Sequence, residues 1–92
     1  MDLTRDEHHV HVAGAQVTVI GTSGPISATW RLLVDGDEVA REELHNGDQV
    51  LAGPLPDGTA VEAHVRQSIV GPTRVSVRHE GLEVLATTGF VA

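Results

Sequence analysis

Three imidazoles in four positions, His8-His9-Val10-His11, form the only cluster of potential metal ligands in the chain. On a β-strand His9 and His11 share one side, a spacing at which both could reach one Zn²⁺ or Ni²⁺. No spaced cysteine or carboxylate completes a ligand set. The cluster therefore reads first as the polar positions of an edge strand, and second as the centre of a small-ligand or metal-binding module. Ser23, with six histidines and many aspartates in the chain, supplies the composition of a hydrolytic triad, but the Gly-x-Ser-x-Gly elbow between strand and helix is missing. Backbone N–H groups of Gly21-Thr-Ser-Gly-Pro25 could cradle an anion, although no helix follows to add its dipole. Glu42, Glu43 and Asp48 offer carboxylates for Ca²⁺ and read more simply as a solvated turn. An enzyme would need a pocket converging on His64, His79 or Asp48, and strand alternation spreads these over different surfaces. No residue is given a catalytic role, no cofactor is expected, and the chain reads as non-enzymatic.

The elements that would carry these residues are strands. Apolar residues recur at spacing two, β-branched residues are frequent, and ten glycines with four prolines punctuate the chain, the pattern of an all-β sandwich or barrel. The strongest signal is Asp35-Gly36 between the alternating runs 27–34 and 37–41, a β-hairpin. A two-residue turn there pairs Val34 with Asp37, Leu33 with Glu38, Leu32 with Val39, Arg31 with Ala40 and Trp30 with Arg41. Leu32 and Val39 are then core. A further two-residue turn at Asn46-Gly47 would not keep the apolar set on one face, so a bulge is expected near Arg41–Leu44.

Elsewhere, residues 1–7 read as a flexible tail and 8–92 as a single domain. A strand over 8–12 turns at Ala13-Gly14 into 16–20, with Val17 and Val19 inward. Gly21 to Pro25 reads as a loop, 49–52 as a short strand, and Gly53-Pro-Leu-Pro-Asp-Gly58 as too rich in fixed or permissive positions for a sheet interior. The longest strand is expected over 60–69, with Val61, Ala63 and Val65 inward and Glu62, His64 and Arg66 outward. Gly71-Pro72 turns the chain into a last hairpin about Glu80-Gly81, with Arg78 opposite Glu83 and Val77 opposite Val84. That hairpin repeats the one at Asp35-Gly36 45 positions later, which makes the domain a compact antiparallel β-sandwich of about eight short strands with an internal pseudo-repeat.

Composition narrows the functions. Thirteen acidic residues against six basic ones, all arginine, give a formal charge of −7, which repels a phosphate backbone. Nucleic-acid binding is not expected. Without cysteine no disulfide framework forms, no segment has the length and apolarity to cross a bilayer, and a soluble, cytoplasmic protein is the expectation. Abundant Ala, Val, Gly and Arg without Lys suggests a GC-rich bacterial source. With one Trp, one Phe and no Tyr, there are too few aromatic platforms for stacking sugars or bases.

The order Val17-Thr-Val, Gly21-Thr-Ser-Gly24, Leu33-Val-Asp-Gly-Asp-Glu-Val-Ala-Arg41, Gly47, Gly53, and then Ala60 through Arg78-His-Glu-Gly-Leu-Glu-Val84, resembles a single domain of the Fas apoptotic inhibitory molecule family. The resemblance covers nearly the whole chain. It implies a compact antiparallel β-sandwich acting by contacts with other proteins, and it supplies no catalytic residues. Trp30 caps one end of the core or, if exposed, joins Phe90 as a contact residue. The expected activity is protein–protein association with an unidentified partner. Strand edges without lysine invite homodimerisation.

Overall fold

The alternating pattern becomes eight antiparallel strands, with no helix among the described residues. The computed structural model describes residues 4–23, 27–44, 47–67 and 72–91, excepting the side chains at 4, 72 and 87–91. In the first sheet β1 (Thr4–Val12), β2 (Ala15–Ser23), β3 (Ala28–Val34) and β4 (Asp37–Leu44) lie in that order. The second sheet runs β5 (Gly47–Pro54), β6 (Ala60–Gln67), β7 (Pro72–His79) and β8 (Leu82–Val91). Both are meanders, so the repeat seen in the sequence is one whole sheet each time. β4 lies beside β5 and β1 beside β8, which lines up the sheet edges of the sandwich.

Three hairpins turn on two residues at positive φ: Ala13 and Gly14 (49° and 81°), Asp35 and Gly36 (52° and 88°), Glu80 and Gly81 (52° and 79°). This is the type I′ pattern, whose twist matches that of the strands it joins. Asp35 also ties its turn to β2, since its Oδ1 accepts from the Gln16 N–H at 2.9 Å and its own N–H donates to the Gln16 carbonyl at 2.8 Å. Beyond the Asp35-Gly36 turn, Val34 pairs with Asp37 and Leu33 with Glu38 as expected. The register then shifts, and Leu32 pairs with Ala40, Arg31 with Arg41 and Trp30 with Glu42. Val39 is the extra residue, so the bulge falls there rather than near Arg41–Leu44. The last hairpin repeats it: Arg78 pairs with Glu83, but Val77 pairs with Leu85, and Val84 is bulged. Val39 and Val84 share the offset of the two turns.

Several boundaries differ from expectation. β1 begins at Thr4, so residues 4–7 belong to a sheet and not to a tail. Gly21–Ser23 extend β2 against Ala28–Trp30 instead of forming a loop; Gly24 and Pro25 lie outside the described residues. β4 and β5 form no hairpin, because they belong to different sheets and β5 pairs with β6. On either side of this crossing Leu44 and Leu51 are both buried, at 7% and 1% exposure, and join the same core cluster. Asn46 lies outside the described residues, as do Gly71 and the end of the strand expected over 60–69. β5 runs on through Gly53 and Pro54, the proline being tolerated on an edge strand. β8, at ten residues, is the longest described strand.

One apolar cluster joins the sheets: Val17, Val19, Trp30, Leu32 and Val34 from the first, Leu51, Val61, Ala63, Val65, Val75 and Val77 from the second. Trp30 is fully buried. Its ring lies against Gly21, where a Cβ would come within 2.5 Å of ring carbons, and its Nε1 donates to Gln67 Oε1 of the other sheet at 3.3 Å. The bulged Val39 packs in the same way on Gly53, whose Cβ would fall 2.4 Å from a valine methyl. Val39 is therefore only partly buried, at the seam between the sheets rather than within the core.

Candidate functional site

Outward side chains decide what each sheet can bind, and the first sheet uses its own to close the surface. Arg31 and Arg41 stand opposite each other on β3 and β4, a like-charge pair that would repel. Glu38 lies between them. Its Oε1 accepts from Arg31 Nε at 2.6 Å and from an Arg41 terminal nitrogen at 3.0 Å, and these charge-assisted bonds, from Arg41 first and Arg31 second, hold its carboxyl below the usual range. Arg31 also neighbours Ile20, which is 95% hidden although it points away from the core, its exposure being 5%.

The histidine cluster is part of the same closed face. His9 Nε2 is 2.7 Å from Glu7 Oε2 and its Nδ1 is 3.0 Å from Thr18 Oγ1. Arg5 and then His9 lower the Glu7 pKa through hydrogen bonds. Both His9 nitrogens thus have protein partners. His11 shares that face and is exposed, whereas His8 points to the other side of β1. Among the described residues no group of three or more His, Cys, Asp or Glu side chains converges as a metal centre.

The second sheet is built on the same plan with different side chains. The row Ile20, Arg31, Arg41 has as its counterpart His64, Ser76, Ala86, which pair in the same order across β6, β7 and β8. Two arginines are thereby replaced by two small residues, and a groove of ≈ 650 Å³ opens on this face. Asp48, His64, Arg66, Arg74, Ser76, Arg78 and Glu83 line it. Arg66 Nε donates to Asp48 Oδ1 at 3.0 Å, which raises the arginine pKa, and His64 Nε2 lies 3.2 Å from Glu62 Oε1. Arg74 and Arg78 make no ion pair or side-chain hydrogen bond among the described residues, even though Arg78 stands opposite Glu83.

Asp48 and His64 therefore share one surface, contrary to the spread expected from strand alternation, because β5 and β6 pair directly. His79 is elsewhere: its Nε2 lies 2.8 Å from Thr59 Oγ1, whose hydroxyl donates to Asp57 Oδ1 at 2.6 Å. The Thr59 hydroxyl and its N–H both donate to Asp57 and hold that carboxyl below its usual pKa, and Thr59 closes the β5–β6 loop, its carbonyl accepting from the Leu55 N–H at 2.7 Å. Ser23 and the Gly21 region lie within β2, so the loop weighed as an anion cradle is strand as far as it is described. Glu42 and Glu43 are exposed neighbours on β4 and point to opposite faces. Trp30, weighed as a contact residue, is buried and unavailable to a partner, while the Phe90 side chain lies outside the description. The groove arginines escaped sequence reasoning, although outward alternation of Arg66 on one strand and Arg74, Ser76 and Arg78 on the next was the signal that could have found them. No protein-family model, curated protein or solved structure matches the chain.

Proposed function

We propose that the chain is a non-enzymatic protein-association domain and that the groove across β5–β8 is its contact surface. The observation that carries this reading is the contrast within the repeat: where the first sheet sets Arg31 beside Ile20 and holds it with Glu38 and Arg41, the second leaves Ser76 and Ala86 in a groove beside Arg74 and Arg78, which have no ion-pair partner among the described residues. Arginine at the rim of a concave surface is a common anchor of protein contacts. The resemblance to Fas apoptotic inhibitory molecule domains points to the same kind of activity.

Filling the groove tests the assignment. Ser76→Arg with Ala86→Arg rebuilds around Glu83 the cluster found on the first sheet, so the variant should fold. Crosslinking in the native organism should join a partner to groove residues of the native chain and not to the variant; the same crosslinked partners for both would overturn the assignment. A second copy is one partner the reading allows. Sedimentation velocity giving a dimer that the variant preserves would put that contact on a strand edge instead.

A further inference from the structure

The geometry points to an extended acidic peptide segment as the occupant of this groove, its carboxylates seated on Arg74 and Arg78, and this rests on the groove being the contact surface. Arg74, Ser76 and Arg78 alternate along β7 on the outward face. At a rise of about 3.3–3.4 Å per residue, the two arginine positions are about 13 Å apart. Residues four apart on another extended chain have that same spacing, so two carboxylates at such positions, with a small polar residue between them above Ser76, match the surface. A two-oxygen carboxylate suits the planar guanidinium fork. The other sheet shows arginines of this fold taking a carboxylate, although there one carboxylate, Glu38, serves both Arg31 and Arg41.

Charge separates this occupant from other anions. The third arginine of the groove, Arg66, is already matched by Asp48, while Glu62 and Glu83 stand opposite Arg78 on β6 and β8 and add negative charge beside it. With a formal charge of −7 on the whole chain, a long polyanion would be repelled beyond the two arginines. A short segment carrying two carboxylates at the right spacing would not.

Titration of the ¹⁵N-labelled chain tests this with three probes: a synthetic peptide bearing two glutamates four apart with threonines between, its glutamine counterpart, and inorganic phosphate. The glutamate peptide should shift the amides of Ser76 and Ala86. Arg74→Ala and Arg78→Ala should each weaken it about fivefold, the size of one exposed ion pair, and Arg41→Ala should not. Equal binding of the glutamine peptide at the same amides would overturn the carboxylate preference while leaving the groove as a contact surface. Competition by phosphate at matched charge would overturn the peptide assignment in favour of a small-anion site. If no probe shifts the groove, the inference fails, and the association reading is then decided by the crosslinking comparison alone.

Discussion

Arg31 stands beside Ile20 on the first sheet and is held there by Glu38, whereas Ser76 stands beside His64 on the second with Ala86 on its other flank. The two-residue turn at positive φ and the bulge beyond it are shared by the β3–β4 and β7–β8 hairpins, whereas the second sheet adds a register shift between Pro72 and Arg74 and joins β5 to β6 by a longer loop. The contrast at the matched row itself lies in its side chains. Two like charges across a strand pair are tolerated on the first sheet because a carboxylate sits between them. On the second sheet the small residues remove bulk without removing the surrounding arginines. A filled face and a grooved face can thus come from one repeated unit.

The inner faces differ as well, and breaking them should have the largest effect. Trp30 and Val75 occupy matching places in the two halves of the core, both essentially inaccessible. Trp30→Ala should destabilise by about 3–5 kcal/mol and Val75→Ala by about 2 kcal/mol, read from urea midpoints. Equal losses would mean that the tryptophan is not the main plug between the sheets. Next in size are the turns. Gly36→Val and Gly81→Val each place a β-branched residue at positive φ, 88° and 79° respectively, and should each lower stability by about 1–2 kcal/mol. An unchanged melt for either would remove that turn from the I′ class and break the repeat.

Smaller effects separate the outer faces. Glu38→Gln should lower the melting temperature at neutral pH by leaving Arg31 and Arg41 facing each other, and Glu83→Gln should leave it nearly unchanged. The pH dependence has a definite sign. Because the folded protein holds the Glu38 carboxyl below its ordinary value of 4.5, its contribution is complete above that value and is lost as pH falls through the lowered one. The gap between native chain and Glu38→Gln should therefore close in acid, and a gap that persists at about pH 2 would show that the cluster acts by packing and not by charge. Glu7 and Asp57, lowered by Arg5 and Thr59 respectively, add to the loss of stability in acid.

Much of this fold was legible before any coordinates. Asp35-Gly36 and Glu80-Gly81 announce their hairpins through residues suited to, or permissive of, positive φ, and alternation alone assigns Val17, Val19, Val61, Ala63 and Val65 to the interior. What alternation could not place was the bulge, because one extra residue at Val39 or Val84 leaves no mark in composition; in the structure Val39 packs on Gly53 of the other sheet, whereas Val84 is exposed. The same limit applies to the step from β4 to β5. Local sequence there is compatible with a turn, and only the pairing of β5 with β6 shows that the chain crosses to a second sheet.

For the candidate site the division is sharper. Sequence placed Arg66 outward and Arg78 opposite Glu83, since both follow from period-two geometry and the turn at Glu80-Gly81. Only the tertiary structure decided that β6 and β7 lie side by side, that Glu38 joins Arg31 to Arg41, and that Ser76 and Ala86 leave a groove where their counterparts fill one. The reason is physical: alternation fixes a side chain's face, but whether neighbouring charges meet a partner depends on strand register, which long-range packing sets.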